Sequence, residues 1–306
     1  MQLLYALAEL RTPFLDAVLG ALTNCGGELV FMAAAIIAFW CVSKSCGYYM
    51  LTVGFVGTIV NQFLKLVFRI PRPWVKDPDF QIVESARAEA TGYSFPSGHT
   101  QNVFASFGCL GRWTKRTWLR VVCALLIVVT AFSRMYLGVH TPLDVGVSFG
   151  IGLVLVFALY PLFRDIDSHP KRLYLLFAGM AVLSAAYLLF AELWPFPADV
   201  DAANLASGRK NAYTLLGAVL GMTFAYWLDR RYVHFDVRAV WWAQVLKAVL
   251  GLAITIGLRA ALKAPLLALC GGHNVANLIR YALMVIFAAG IWPMTFGWFS
   301  LMGRKK

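Results

Sequence analysis

Apolar runs, each close to the length of a membrane-spanning helix, recur along the whole chain. About 20 apolar residues are needed to cross the hydrocarbon core of a bilayer as an α-helix. The runs predict about nine spans, joined mostly by short polar connections. Their approximate bounds are 28–43, 48–68, 97–112, 119–138, 143–163, 172–193, 210–229, 239–261 and 277–301. We therefore predict an all-α fold, a polytopic transmembrane helical bundle.

Polar interruptions divide the chain into three parts. Residues 1–25 contain Arg11 and Asp16, and this pattern predicts an interfacial or re-entrant N-terminal segment. No basic start followed by a long apolar core is present, so we expect no cleavable signal peptide. Residues 26–165 hold the polar motifs described below and form the predicted core. Residues 166–306 are predicted to add transmembrane helices of unknown role.

Composition supports a membrane protein and argues against two other classes. Of the 306 residues, 60% are hydrophobic and 14% charged, against roughly 25% charged in soluble domains. The net charge of +12 is not arranged as a basic stripe with aromatic residues, so we expect no nucleic-acid partner. None of the six cysteines forms a CxxC pair, and neither a disulfide framework nor a metal site is predicted.

The basic residues predict how the spans are oriented. They concentrate in alternate connections, which the positive-inside rule assigns to the cytoplasm. These cations are Lys44, Arg112, Lys115, Arg116, Arg120, Arg164, Lys171, Arg172, Arg230, Arg231, Arg238, Arg304, Lys305 and Lys306. The second and fourth connections then face the opposite, extracytoplasmic side.

Three polar clusters lie at or within those two connections, and they carry the candidate chemistry. Because both connections are predicted on one face, the clusters are expected to converge there. Ionisable groups near a membrane interior are costly unless they have a function. The clusters are Lys65 with Arg72-Pro73 after six residues, then Pro96-Ser97-Gly98-His99, then Ser133-Arg134 with His140 five residues on and Asp144 three further.

The first two clusters suit a phosphate. Lys65 and Arg72 offer a point charge and a planar fork to phosphate oxygens, although interfacial snorkelling is an alternative role for both. Ser97 is a predicted helix N-cap, and Gly98 permits close backbone approach to an anion at the helix start. His99 would lie beside the phosphate and could protonate a leaving alkoxide.

The third cluster suits a nucleophile. Thr141 and Asp144 are spaced as a capping box at the start of the fifth span. The Asp144 carboxylate could also bond one nitrogen of His140, which would leave the other nitrogen free to attack phosphorus. Arg134 would stabilise charge on the phosphate oxygens as the leaving group departs.

In order, spacing and composition, the three clusters resemble the signature of the type 2 phosphatidic acid phosphatase superfamily, whose site is shared with vanadium haloperoxidases. The resemblance covers about residues 26–165. It implies that His140 is the nucleophile forming a phosphohistidine, Asp144 its orienting partner and His99 the acid. It also implies a phosphate cradle with no metal and no cofactor. The cradle residues would be Lys65, Arg72, Ser97, Gly98 and Arg134.

The resemblance leads us to expect an enzyme, a metal-independent lipid phosphatase of a bacterial plasma membrane. Its partner would be a lipid bearing a phosphate monoester or pyrophosphate, of the phosphatidic acid, phosphatidylglycerophosphate, undecaprenyl pyrophosphate or sphingoid phosphate type. Three alternatives remain open at this point: a phosphatase of a small soluble ester, a lipid phosphotransferase, and a non-catalytic anion-binding membrane protein. The sequence does not specify the lipid or the oligomeric state.

Two features lie outside the motifs. Four residues surround the last predicted extracytoplasmic connection and are candidates for a second phosphate, for an anionic lipid or for interface anchoring: Arg259, Lys263, His273 and Arg280. Lys247 is predicted nearer the membrane interior, where a charge needs a partner.

Overall fold

The computed structural model describes residues 1–302, with Asp167 described by its backbone alone. The C-terminal cations Arg304, Lys305 and Lys306 lie outside the described residues. Within residues 1–302 the fold is all-helical and contains no β-strand. The α-helices are α1 Gln2–Glu9, α2 Pro13–Thr23, α3 Glu28–Ile37, α4 Lys44–Phe68, α5 Pro73–Lys76, α6 Gly98–Val103, α7 Cys109–Trp113, α8 Thr117–Tyr136, α9 Pro142–Arg164, α10 Pro170–Leu193, α11 Ala202–Leu228, α12 Trp241–Ala261, α13 Lys263–Leu269, α14 Val275–Ile286 and α15 Phe296–Leu301.

Helical segments occupy the nine ranges predicted as spans, but fewer are long and apolar enough to cross a membrane. Six helical stretches within residues 1–302 qualify, or seven if the pair Pro13–Gly26 and Glu28–Val42, bent by 50°, forms one broken span. The helical stretch 98–113 is short and contains a π-helical turn, and α11 carries Arg209 and Lys210 near its start. Because of these features, the predicted number of about nine spans is only approximate.

The chain forms two compact units. The first unit contains Met1–Ala34, Tyr49–Phe163 and Phe196–Gly208, and it includes all eight candidate site residues. The second unit contains the remaining described residues, from Ala35–Tyr48 and Arg164–Pro195 to the stretch that begins at Arg209.

In the first unit, the N-terminal segment packs on the end of α8. Leu4 of α1 is buried with Phe80 and Tyr136 in one apolar cluster. The Tyr136 hydroxyl donates to Asp16 Oδ1 at 2.8 Å, and Arg11 Nε donates to the Tyr136 carbonyl at 3.1 Å. The N-terminal segment therefore supports the helix end that carries the third motif.

A tight turn then joins α8 to α9 and positions the third motif. The backbone N–H of His140 donates to the Arg134 carbonyl at 3.2 Å. Gly138 has φ +81°, and a side chain there would come within 2.9 Å of the Phe80 ring. Glycine thus permits both the left-handed turn and the close packing of the loop above it.

In the second unit, α11 approaches α14 very closely. A Cβ on Gly217 would clash with the Leu278 carbonyl, and a Cβ on Gly221 would lie 2.6 Å from the Ala282 carbonyl oxygen. Small residues four apart are typical of close helix contacts in membranes. Lys247 of α12 is also buried in this unit, where its Nζ donates to two backbone carbonyls.

Candidate active site

The second motif begins α6, as predicted. Ser97 is the N-cap, and its Oγ accepts from the Thr100 N–H at 3.4 Å. The Ser97 backbone N–H donates to the Asp144 carbonyl at 3.1 Å, which ties the second motif to the third. A Cβ on Gly98 would meet no atom within 4 Å. The helix start is therefore held in place while the space beside Gly98 stays open.

The Asp144 carboxylate is buried and combines a capping role with a contact to His140. Its Oδ2 accepts from the Thr141 N–H at 2.7 Å and from Ser94 Oγ at 2.6 Å. The Asp144 N–H in turn donates to Thr141 Oγ1 at 3.3 Å, completing the local cap. The same Oδ2 lies 3.5 Å from Nδ1 of His140. Both roles predicted for Asp144 are thus geometrically compatible.

Arg72 contacts the other nitrogen of His140. Its Nη1 lies 2.9 Å from His140 Nε2 and donates at 3.0 Å to the Val139 carbonyl. Arginine has no acceptor atoms, so Nε2 must be the acceptor in this pair. The ring proton then lies on Nδ1, facing Asp144, and the lone pair of Nε2 points toward the guanidinium.

Lys65 and Arg72 are held by the same short stretch of backbone. Arg72 donates to the Thr91 carbonyl at 2.8 Å and to the Gly92 carbonyl at 3.0 Å. The ammonium of Lys65 donates to the carbonyl of Tyr93. Both side chains are buried, with 6% of each exposed. Consecutive carbonyls thus place two cations of the first motif side by side.

Arg134 is buried with most of its hydrogen-bonding capacity unused. Only 1% of the residue is exposed. Its Nη1 donates to Thr23 Oγ1 at 2.9 Å, while the buried Nε and Nη2 have no partner among the described residues. A buried guanidinium with free N–H groups is suited to bind an anion.

His99 has a partner that the motifs do not include. Its Nε2 lies 2.9 Å from Oε2 of Glu89, and 13% of the His99 side chain and 54% of the Glu89 side chain are exposed. The hydrogen bond to His99 lowers the pKa of the Glu89 carboxyl below its ordinary value. Burial lowers the pKa of His99 below its ordinary value, and the hydrogen bond to Glu89 opposes this shift. Glu89 thus favours a proton on His99 Nε2, the atom that an acid catalyst would use.

The surroundings of His140 keep its ring neutral. Burial is the largest cause, and the positive charges of Arg72 and Arg134 add to it; together they lower the pKa of His140 well below its ordinary value. A neutral imidazole retains the lone pair on Nε2. The geometry therefore combines a neutral nitrogen nucleophile, an oriented ring and several cations in one buried site.

Comparison with known proteins identifies the family of the chain. The PAP2 superfamily matches residues 44–168, and the PAP2 superfamily phosphatase transmembrane extension matches residues 213–304. The chain is also 30% identical to undecaprenyl-diphosphatase BcrC of Bacillus subtilis over 151 residues, 48% of this chain and 74% of that protein. The chain belongs to the PAP2 superfamily. With its apolar helices and the transmembrane extension, it is an integral membrane protein.

Other PAP2-related proteins match it more distantly. Phosphatidylglycerophosphatase B of Bacillus subtilis is 25% identical, over 53% of this chain and 80% of its own length. A probable sphingosine-1-phosphate phosphatase of Dictyostelium discoideum is 27% identical, over 72% of this chain and 56% of its own length. No solved structure matches the chain.

Three residues of this PAP2 site were not expected from the sequence. Thr23 contacts Arg134, Ser94 contacts the Asp144 carboxylate, and Glu89 contacts His99. Thr23 lies in the opening segment, far from any motif in the chain. Ser94 and Glu89 lie in the long polar loop before Pro96. The sequence indicates that this loop covers the site, but it does not indicate which of its residues make contacts there.

Proposed function

We propose that this PAP2 protein is a membrane phosphatase that hydrolyses the phosphate monoester or pyrophosphate of a lipid. The observation that carries the proposal is the His140 ring, with Nδ1 facing Asp144 and Nε2 facing Arg72. This arrangement aims a neutral nitrogen lone pair at a cation that would bind phosphate oxygens. The three relatives described above are named as phosphatases of phosphorylated lipids, which supports the same substrate class.

In the first step, His140 Nε2 attacks phosphorus and a new N–P bond forms while the P–O bond to the lipid breaks. His99 gives the proton on its Nε2 to the departing oxygen, which leaves as a hydroxyl or a shorter phosphate. Asp144 stabilises the positive charge that develops on the His140 ring. In the second step His99 takes a proton from water, water attacks phosphorus, and inorganic phosphate leaves His140.

The phosphate cradle lowers the barrier by electrostatic stabilisation. The Arg134 N–H groups and the open helix start at Gly98 would receive the equatorial oxygens of the phosphoryl group. Lys65 and Arg72, which donate to backbone carbonyls, add further positive charge to the site. Because these groups are already fixed by the fold, little reorganisation is needed during the reaction.

The location of the reaction is also part of the proposal. The positive-inside rule assigns the motif-bearing connections to the extracytoplasmic side of a bacterial plasma membrane. The lipid headgroup would enter there from the outer leaflet. Labelling of an engineered cysteine at exposed Asp79 by a membrane-impermeant reagent in intact cells tests this orientation; protection until the cells are permeabilised would contradict it.

A phosphate-release panel with the purified full chain tests the function. The substrates are phosphatidic acid, phosphatidylglycerophosphate, undecaprenyl pyrophosphate, sphingosine phosphate and a water-soluble phosphate ester, each assayed with the wild type and His140→Ala. We expect release from at least one lipid, lost in His140→Ala. Release only from the soluble ester would favour a small-ester phosphatase, and transfer to a second lipid without free phosphate would favour a phosphotransferase.

We further propose that the reaction is metal-independent, since groups of the chain itself fill all the roles above. Activity should persist when the purified protein is assayed with an excess of chelator. Loss of activity that returns on adding a divalent cation would contradict this proposal.

A further inference from the structure

The second unit contains a buried cation that has no ion-pair partner among the described residues. Arg280 lies on α14 with 6% of the residue exposed. Its Nη2 donates to the amide oxygen of Asn277 at 2.9 Å. Its Nε is buried and has no partner, and no carboxylate among residues 1–302 lies within ion-pair distance. A buried unpaired charge is costly and calls for an anion.

A second cation lies near the same aromatic ring as Arg280. The guanidinium of Arg280 lies 5.2 Å from the centre of the Tyr281 ring, and that of Arg259 on α12 lies 6.0 Å from the same ring. Both guanidinium groups thus lie near one aromatic ring, and neither has an ion-pair partner among residues 1–302. An aromatic face stabilises a cation only modestly, so it does not replace a counterion.

The start of α14 does not itself provide the binding groups. The N–H groups of Val275, Ala276 and Asn277 already donate to His273 Nδ1, the His273 carbonyl and the Asn274 carbonyl. What remains available is the buried guanidinium of Arg280. The close α11–α14 packing at Gly217 and Gly221 holds that helix, and therefore Arg280, in a fixed position.

We propose that Arg280 and Arg259 form a second oxyanion site that binds a phosphate group, supplied by a lipid headgroup or by free phosphate. The planar fork of arginine matches phosphate oxygens in pairs. Arg280 resembles Arg134 in being a buried guanidinium with one neutral side-chain partner and a buried Nε that has no partner among the described residues. The site lies wholly in the second unit and does not depend on the phosphatase reaction.

The test measures phosphate binding in full-length protein that cannot turn substrate over. The parent is the double variant His140→Ala, Arg134→Gln, purified in a neutral detergent. Thermal unfolding is followed while dihexanoyl phosphatidic acid, or inorganic phosphate, is titrated in, because a ligand of the folded state raises the midpoint with its concentration. Arg280→Gln, Arg259→Gln and Lys263→Gln are each added to the parent. Lys263 is exposed and serves as the matched charge-loss control.

Arg280→Gln should weaken the apparent affinity about tenfold or more, as expected for the loss of a charge-assisted hydrogen bond. Arg259→Gln should weaken it less, and Lys263→Gln should match the parent. A response to phosphatidic acid alone identifies a lipid headgroup, and a response to both probes identifies a phosphate site without lipid selectivity.

Unchanged affinity in both arginine variants, or an equal loss in Lys263→Gln, would overturn the proposal. If Arg280→Gln does not fold, Arg259→Gln and the charge-retaining Arg280→Lys decide the matter. Arg280→Lys should keep measurable binding, and Arg259→Gln should reduce it. Binding that is unaltered in Arg259→Gln and absent in Arg280→Lys would contradict a shared site and assign Arg280 to the support of α14.

Discussion

Arg134 in the first unit and Lys247 in the second are both basic residues with 1% of the residue exposed, yet they differ in their hydrogen-bond partners. The Lys247 ammonium donates to the carbonyls of Trp40 at 2.9 Å and Val237 at 3.1 Å, and lies 4.3 Å from the Phe296 ring centre. Arg134 has one hydroxyl partner, Thr23, and two buried nitrogens without any.

The difference separates cations that hold the structure from cations that await a ligand. A buried cation whose donors are all used ties neighbouring segments together. Burying a cation with unused donors costs more free energy than its few contacts return. We therefore expect a bound anion to stabilise it. Glycines and histidines can likewise be divided into residues that support the fold and residues that serve a ligand. The following variants test this division.

Arg134→Gln and Lys247→Met should have opposite effects. We expect Arg134→Gln to lower kcat/KM by about 10²–10³-fold, the loss typical of removing one donor to a transition-state anion, with no fall in thermal stability. Lys247→Met should lower the unfolding free energy by about 1–3 kcal/mol, because its carbonyl partners lose a donor. Its activity per folded molecule should be unchanged. Full activity in Arg134→Gln would break the comparison.

Gly98→Ala and Gly26→Ala extend the comparison to small residues. A Cβ at Gly98 meets nothing within 4 Å, whereas one at Gly26 would lie 2.5 Å from the His99 carbonyl oxygen and 2.8 Å from Thr130 Cγ2. Gly98→Ala should keep or slightly raise the melting temperature while lowering kcat/KM about tenfold, because the methyl group occupies the phosphate position. Gly26→Ala should lower the melting temperature. Wild-type kcat/KM in Gly98→Ala would remove Gly98 from the cradle.

Glu89→Gln compares the partly exposed pair of His99 and Glu89 with the buried pair of His140 and Asp144. Glu89 supports the protonated form of His99, which the first step needs. The activity that needs this proton is lost as pH rises. Without the carboxylate the proton is held less tightly, so the alkaline limb of kcat/KM should move to lower pH. An unchanged pH profile would show that Glu89 has no part in the reaction.

Hydropathy and motif spacing predicted much of this molecule, and the gaps have physical causes. The nine helical ranges and the Ser97 and Thr141 caps follow from local sequence. The contacts of Thr23 and Glu89 do not, because they join segments far apart in the chain or lie on a loop without periodicity. The unused donors of Arg134 and Arg280 are also invisible in the sequence, since they depend on which groups the fold brings near.

The central claim is that His140 Nε2 forms a covalent bond to phosphorus. The most direct measurement is to quench purified protein in alkali during turnover of a lipid substrate labelled in its phosphate, and to locate the label by mass spectrometry. We predict label on His140 in the wild type and none in His140→Ala, with the variant still folded in its thermal unfolding profile. Label on another residue, or turnover by His140→Ala, would contradict the account.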